Sequence, residues 1–214
     1  TVAQINSIEA SPHDAGTAYF AATAYKSDDY KPYTYKTIDC GKTWKKILDI
    51  SENTGVNNVI MDPRDSKMLY ASSEQRRRHV FTKIGGGPET AIYKSVDGGE
   101  TWDKLKSGLP GADMGGIGLA ISPVNPDYVY AIIEAAGDAG GFFRSTNRGA
   151  TWQKMSDHFA QGQYYNEIYC DPIDVNKIYS AETVSQVSLD GGKTWRAIGN
   201  NKRHVDDHAI WIDP

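Results

Sequence analysis

Ser188-Leu-Asp190-Gly-Gly192-Lys-Thr194-Trp195 is the last of four copies of one motif, Ser/Thr-x-Asp/Asn-x-Gly-x-Thr-Trp. The earlier copies read Thr37-Ile-Asp39-Cys-Gly41-Lys-Thr43-Trp44, Ser95-Val-Asp97-Gly-Gly99-Glu-Thr101-Trp102 and Ser145-Thr-Asn147-Arg-Gly149-Ala-Thr151-Trp152. Their Asp or Asn positions lie 58, 50 and 43 residues apart, a period that suits one four-stranded antiparallel sheet per copy. A second mark precedes each copy: an apolar run ending in Ser-Pro or Asp-Pro, at Pro12, Pro63, Pro123, Pro172 and Pro214. Seven residues after each of the first four prolines stands a tyrosine, at 19, 70, 130 and 179.

Each unit therefore reads as strand A ending at the Ser/Asp-Pro, strand B around the tyrosine, strand C entering the motif and strand D leaving from its tryptophan. Four units are expected at about 4–47, 55–105, 116–155 and 164–198, with the first strand of a fifth at 205–214. The motif makes sense as a C–D hairpin turn. The Asp39, Asp97, Asn147 or Asp190 side chain accepts backbone N–H bonds, and glycine supplies a backbone angle that a side chain disfavours. Trp44, Trp102, Trp152 and Trp195 then pack between units, so all eight residues are read as scaffold.

Composition agrees with an all-β chain: 214 residues, 39% hydrophobic and 11% aromatic, with Gly 21, Pro 9 and Tyr 13. The formal net charge of -4 speaks against nucleic acid as a partner, since phosphate binding needs clustered cations, and Arg76-Arg77-Arg78 is too short a run to reverse that. No apolar stretch is long enough to span a bilayer, and no signal peptide opens the chain as given. Cys40 and Cys170 fall in different parts of the repeat and are not expected to pair. No cofactor is implied.

Strands in such a unit alternate in direction, so the A–B and C–D turns share one end and the B–C and D–A loops the other. Function is expected on that second end, because loops carried by a rigid scaffold can vary freely. The B–C loops are expected at 24–33, 74–91, 134–141 and 183–186, and the D–A loops at 48–55, 106–115, 156–163 and 199–204.

Three clusters fall there. His204-x-Asp206-x-His208 places three donors on one side of a strand, with Asp207 on the other, as a weak metal set or acid/base group. The plainer reading is a polar channel lip. Arg76, Arg77, Arg78 and His79 could clamp a carboxylate or sulfate, or be a solvated loop. The Gly85-Gly86-Gly87-Pro88 run beside them lacks the lysine and helix of a phosphate loop. Tyr30, Tyr33, Tyr164 and Tyr165 could stack on sugar rings. The carboxylates Asp28, Asp29, Asp113, Glu134 and Asp206 are weak candidates for the pair that hydrolyses a glycoside, none of them standing out.

The four motifs resemble those of the Asp-box, or BNR-repeat, β-propellers, over nearly the whole chain. That family includes sialidases, xyloglucanase-like glycoside hydrolases, sortilin-type receptors and photosystem assembly factors, so the resemblance implies a fold more than a function. Asp28-Asp29-Tyr30-Lys31-Pro32-Tyr33, Gln75-Arg76-Arg77-Arg78 with Gly85-Gly86-Gly87, and His204-Val-Asp206-Asp207-His208-Ala-Ile-Trp211-Ile-Asp213-Pro214 are similar to stretches of long secreted bacterial proteins of sortilin-like or glycosyl-hydrolase-like type. In those proteins the Ile8-Glu9-Ala10-Ser11 unit follows the His-Ala-Ile-Trp segment, whereas here it comes first, as in an excised or rearranged piece. The resemblance implies secretion or a periplasmic location. It also implies a glycan, peptide or protein partner at the loop end, and completion of the ring by further blades or a second copy. Glycoside hydrolysis is the alternative. The sialidase form of it is disfavoured because the Arg-Ile-Pro motif of that family is absent.

Overall fold

The computed structural model describes residues 3–160, 166–199 and 204–213. The fold is all-β and of the β-propeller class: four four-stranded antiparallel sheets, each built from consecutive strands of one repeat. The chain divides into two compact units, one running to residue 105 and including 112–117, the other comprising 106–111 and the chain from 118 on.

In unit 1 the first sheet contains β1 (Gln4–Ala10), β2 (Ala18–Ala24), β3 (Asp29–Thr37) and β4 (Lys45–Leu48) in that order. The second repeat supplies β5 (Gly55–Asp62) and β6 (Asp65–Glu74), then a separate hairpin of β7 (Arg76–His79) and β8 (Thr82–Gly85), then β9 (Ile92–Ser95) and β10 (Asp103–Lys104). Strands β5, β6, β9 and β10 form its sheet. Tyr19, Ile47, Val56, Val59, Met61 and Leu69 are buried together, with Trp102 packed against them.

The boundary falls within β11 (Met114–Ile121), which pairs into a sheet with β12 (Val129–Ala135), β13 (Gly141–Ser145) and β14 (Gln153–Ser156). The last sheet is β15 (Glu167–Cys170), β16 (Ile178–Ala181), β17 (Gln186–Ser188) and β18 (Arg196–Ala197). The core of unit 2 gathers Tyr130, Ile132, Phe142, Ile168 and Ile178, with Trp195 against it. Burying such side chains is the main stabilising force, since each is worth roughly 1.5–3 kcal/mol out of water.

The repeated motif closes every C–D hairpin in the same way. Asp39 Oδ1 accepts the Thr43 N–H at 2.9 Å, Asp39 Oδ2 accepts the Thr43 hydroxyl at 2.6 Å, and the Thr37 hydroxyl accepts the Gly41 N–H at 2.9 Å. Asp97 and Asp190 repeat this pattern, and Asn147 keeps it through its Oδ1 and an Nδ2 bond to the Thr151 hydroxyl. The bonds from Thr43 hold the Asp39 carboxyl down at about 2. Gly41, Gly99, Gly149 and Gly192 all take positive φ, at 82°, 91°, 75° and 92°. At Gly192 a Cβ would also lie 2.2 Å from the Phe142 ring, so the turn needs glycine twice over.

Of the tryptophans, Trp102 donates to the Ile47 carbonyl of the preceding blade at 2.9 Å, and Trp195 donates to Ser156 Oγ at 3.2 Å. Trp152 is buried within unit 2. Trp44 differs from the expectation: it stays 40% exposed and packs edge-on against Phe20 of its own sheet. Cys40 and Cys170 are both free.

Three features differ from the sequence reading. The first B–C loop is shorter, because Tyr25–Ser27 makes a single 3-10 turn and β3 resumes at Asp29, so Asp29, Tyr30 and Tyr33 lie on a strand. The second B–C loop folds on itself as the β7–β8 hairpin. Residues 204–213, expected to begin a fifth sheet, carry no assigned strand. Their backbone N–H groups at Asp206 and Asp207 instead bond the carbonyls of Thr183 and Glu182, at 3.0 and 3.2 Å.

Candidate functional site: the loop ends of the two units

In unit 1 the long loops close over one another. Arg76 lies 4.5 Å above the Tyr25 ring, and its Nη1 is 4.0 Å from the buried Glu74 carboxylate. Arg77 lies 3.7 Å above Tyr30 and donates to the Asn53 carbonyl and to Asn53 Oδ1, at 3.0 and 2.8 Å. Arg78 stands opposite Lys83 in the hairpin register. Tyr30 donates to Asp28 Oδ1 at 2.9 Å, Tyr33 donates to Asp29 Oδ2 at 2.5 Å, and His79 Nδ1 lies 3.8 Å from Asp28.

These contacts fix the electrostatics. The Tyr33 hydroxyl holds the Asp29 carboxyl below its ordinary range, and the same bond pushes Tyr33 up to about 12. A depressed carboxyl stays ionised and is a poor proton donor at neutral pH. The cavity left among Thr23, Tyr25, Tyr30, Glu74 and Arg76 is only about 10 Å³, about the room one water needs. The predicted Arg76–His79 clamp and the Asp28/Asp29/Tyr30/Tyr33 set therefore come together, but largely against each other. Asp113 stands apart from them, exposed ahead of β11.

Unit 2 has shorter loops and open space. One cleft of about 440 Å³ is lined by Asp157, His158 and Phe159 of the D–A loop after β14 and by Glu182, Thr183, Val184 and Gln186 around the B–C loop after β16. A second, of about 320 Å³, lies among Glu134, Ala135, Gly137, Asp138 and Gly140 and shares Asp157 and Phe159 with the first. Of the carboxylates singled out from sequence, Glu134 lines one of these clefts, and Asp29 lines the small unit 1 cavity. His158, Phe159 and Glu182 carried no sequence signal of their own, although the 156–163 loop did.

His158 stacks on the Trp195 indole at a centroid distance of 4.0 Å, and Trp195 meets Phe142 edge-on at 4.9 Å. The tryptophan of the fourth motif thus serves as the floor beneath a cleft side chain. His158 Nε2 lies 3.6 Å from Glu182 Oε1, and both side chains are nearly buried, at 9% and 5% exposure. At that separation they do not hydrogen-bond, and His158 Nε2 has no hydrogen-bond partner among the described residues. Burial pushes the imidazole down to about 4, so it is neutral at physiological pH. Gln186 Nε2 donates to Glu182 Oε1 at 3.2 Å. On the rim, Lys154 pairs with Asp157 at 2.7 Å and donates to the Asp138 carbonyl at 2.8 Å.

The 204–208 segment runs beside this cleft with a sidedness opposite to the expected one. Asp206 has φ +90°, which breaks the two-residue alternation of a strand. As a result Asp207 accepts the Ser185 hydroxyl, while Asp206 and His204 are exposed. His208 Nε2 lies 3.8 Å from Asp206 Oδ1. Among the described residues no group of three His, Cys, Asp or Glu side chains is placed to hold a metal ion. Tyr164 and Tyr165 lie outside the described residues.

Comparison with known proteins agrees with the repeat. The BNR/Asp-box repeat family matches residues 186–197. A xyloglucanase of Hypocrea jecorina is 29% identical over 151 residues, covering 65% of this chain and 16% of that protein. Vacuolar protein sorting/targeting protein 10 of Colletotrichum graminicola is 28% identical over 148 residues, covering 60% of this chain and 9% of that protein. Among solved structures, an ancestral GH74 enzyme superposes with a TM-score of 0.64 at 18% identity, over 93% of this chain and 24% of that one. The chain thus spans less than a fifth of the length of these two curated relatives. The chain carries an Asp-box repeat on a β-propeller-class fold and is similar to both xyloglucanases and vacuolar protein sorting/targeting protein 10. No helix among the described residues is long and apolar enough to cross a membrane.

Proposed function

We propose that this run of Asp-box blades is part of a larger exported propeller protein and that it binds a glycan or peptide through its loop end, with the unit 2 clefts as the seat. The observation that carries this reading is the pair of adjoining clefts, about 440 and 320 Å³, built from B–C and D–A loop residues together with the ends of β12 and β17. Clefts of this size, with aromatic and carboxylate walls, suit a short stretch of polymer. The exposed Phe159 between them offers a face for a sugar ring or an apolar side chain.

Hydrolysis remains the second reading, because the similar xyloglucanase acts on a glycan by its name and because Glu134, Asp138, Asp157 and Glu182 surround the clefts. A glycosidase would need two of these carboxyls roughly 5–10 Å apart across the scissile bond. The test is to probe the chain against glycan and peptide arrays and, separately, to incubate it with xyloglucan and measure new reducing ends. Saturable binding that Phe159→Ala weakens, without new reducing ends, is the expected result. Release of reducing ends that stops in both Glu134→Gln and Glu182→Gln would replace the binding reading with hydrolysis.

A further inference from the structure

Within the larger unit 2 cleft, one group lacks a partner that the fold could easily have given it. His158 Nε2 is buried and aimed at the Glu182 carboxylate, yet stops 3.6 Å short of it with no hydrogen bond of its own among the described residues. A buried nitrogen left in this state is destabilising, because it has given up water without gaining a partner. The stack on Trp195 and the bond from Trp195 to Ser156 hold the ring in place, so it does not simply turn away.

The surroundings define what could satisfy it. Glu182 is an acceptor, and Asp157 adds a second carboxylate at the mouth, 93% exposed and paired there with Lys154. Among the described residues no arginine or lysine lines this cleft, and the nearest cation at its mouth is Lys154, held by Asp157. The buried Glu182 carboxylate disfavours an anion at the floor of the cleft and favours a donor there. Beside the Asp157–Lys154 pair the mouth carries apolar surface, with Phe159 46% and Val184 47% exposed. Exposed apolar side chains at the mouth beside a buried acceptor pair fit a group with a hydrocarbon stem and several donors at its tip.

We propose that the His158–Glu182 cleft receives the side chain of a lysine from a peptide ligand, its ammonium donating to Glu182 Oε1 and to His158 Nε2 and its methylene stem lying along Phe159 and Val184. This requires the His158 tautomer that carries its proton on Nδ1 and leaves Nε2 an acceptor. One ammonium nitrogen with three donors can reach both acceptors, whereas a sugar hydroxyl has one proton to give. The proposal rests on the reading of unit 2 as a binding surface and names the ligand chemistry for that same site.

The experiment uses the whole chain and four probes: an N-acetylated, C-amidated Gly-Lys-Gly peptide, its Nε-acetyllysine form, its norleucine form, and a glucosamine trimer. Binding is followed by Trp fluorescence and calorimetry at pH 7. The lysine peptide is expected to bind saturably, with acetylation or norleucine weakening it about tenfold or more, as expected for loss of a charge-assisted bond. Glu182→Gln should weaken it to a similar degree. His158→Phe, which keeps a ring on Trp195, should weaken it by about fivefold or more while leaving the circular dichroism spectrum intact. Equal binding of the lysine and norleucine peptides would overturn the proposal, as would binding of the glucosamine trimer alone, which would assign the pair to an amino sugar. If none of the four binds while the array ligand still does, the lysine assignment fails and the binding surface stands. If neither binds, both fall.

Discussion

The two units carry the same sheet and the same hairpin turn, yet their loop ends are opposites. Unit 1 has the longest loops, and they are full: Arg76 and Arg77 lie on Tyr25 and Tyr30, and the remaining cavity is about 10 Å³. Unit 2 has only short B–C loops, 136–140 and 182–185, and beside them lie clefts of about 440 and 320 Å³. Loop length is therefore a poor guide to open space. A long loop rich in arginine and tyrosine has the means to satisfy itself, because each guanidinium finds a ring face and a carbonyl nearby. The four residues between β16 and β17 make their bonds to the 204–208 segment and to Ile198, and the space beside them stays open.

The comparison can be broken most severely at Trp195. Replacing it with alanine removes the floor under His158 and the edge contact to Phe142, and should cost unit 2 about 3–5 kcal/mol in denaturant unfolding. The same change at exposed Trp44 should cost far less, and equal losses would show that the two motif tryptophans do the same job.

Acid sharpens the difference next. His158 titrates near 4 when folded, against an unperturbed value of about 6.5, so the unfolded chain takes up its proton first as pH falls. Stability of unit 2 is then fully present above about pH 6.5 and declines by roughly 3 kcal/mol between 6.5 and 4. The groups facing the ring are Glu182 and, at the mouth, Asp157 with its Lys154 partner. In His158→Phe this decline should vanish from hydrogen exchange in unit 2 while unit 1 is unaffected.

Unit 1 should respond with the opposite sign at Glu9 on β1, whose carboxyl burial pushes up to about 7. A raised folded value means the stabilisation is present below about 4.5 and is lost as pH climbs through 7. Glu9→Gln should flatten exchange in unit 1 between pH 5 and 8, and an unchanged profile would remove Glu9 from the account.

The smallest effect is expected at Arg77. Its contacts with Tyr30 and Asn53 are near the surface, so Arg77→Ala should cost about 1 kcal/mol in unfolding. It should also admit small aromatic or anionic probes to a face that the wild type keeps closed. A protein that binds such probes equally before and after the change would mean that unit 1 is already open.

The repeat and all four C–D turns were legible because they rest on local rules: a carboxyl or amide four residues before a threonine, a glycine at positive φ and a recurrence every 43 to 58 residues. The B tyrosines were legible for the same reason, and Tyr19, Tyr70 and Tyr130 are indeed almost wholly buried. From these the sequence also located the loop end, and 156–163 and 183–186 were among the loops it named. It did not single out His158, Phe159 or Glu182, because nothing local distinguishes a histidine in a loop from one stacked on the tryptophan 37 residues later. It also misjudged the 204–208 segment, where one positive φ at Asp206 exchanged the two faces.

By itself, then, the sequence determined the class and the number of four-stranded sheets, since both follow from the recurrence of the motif and its turn chemistry. Only the tertiary structure decided which loops fill their own space and which leave it empty. That depends on whether side chains distant in the chain find partners, a balance of contacts and desolvation that no single stretch of residues encodes.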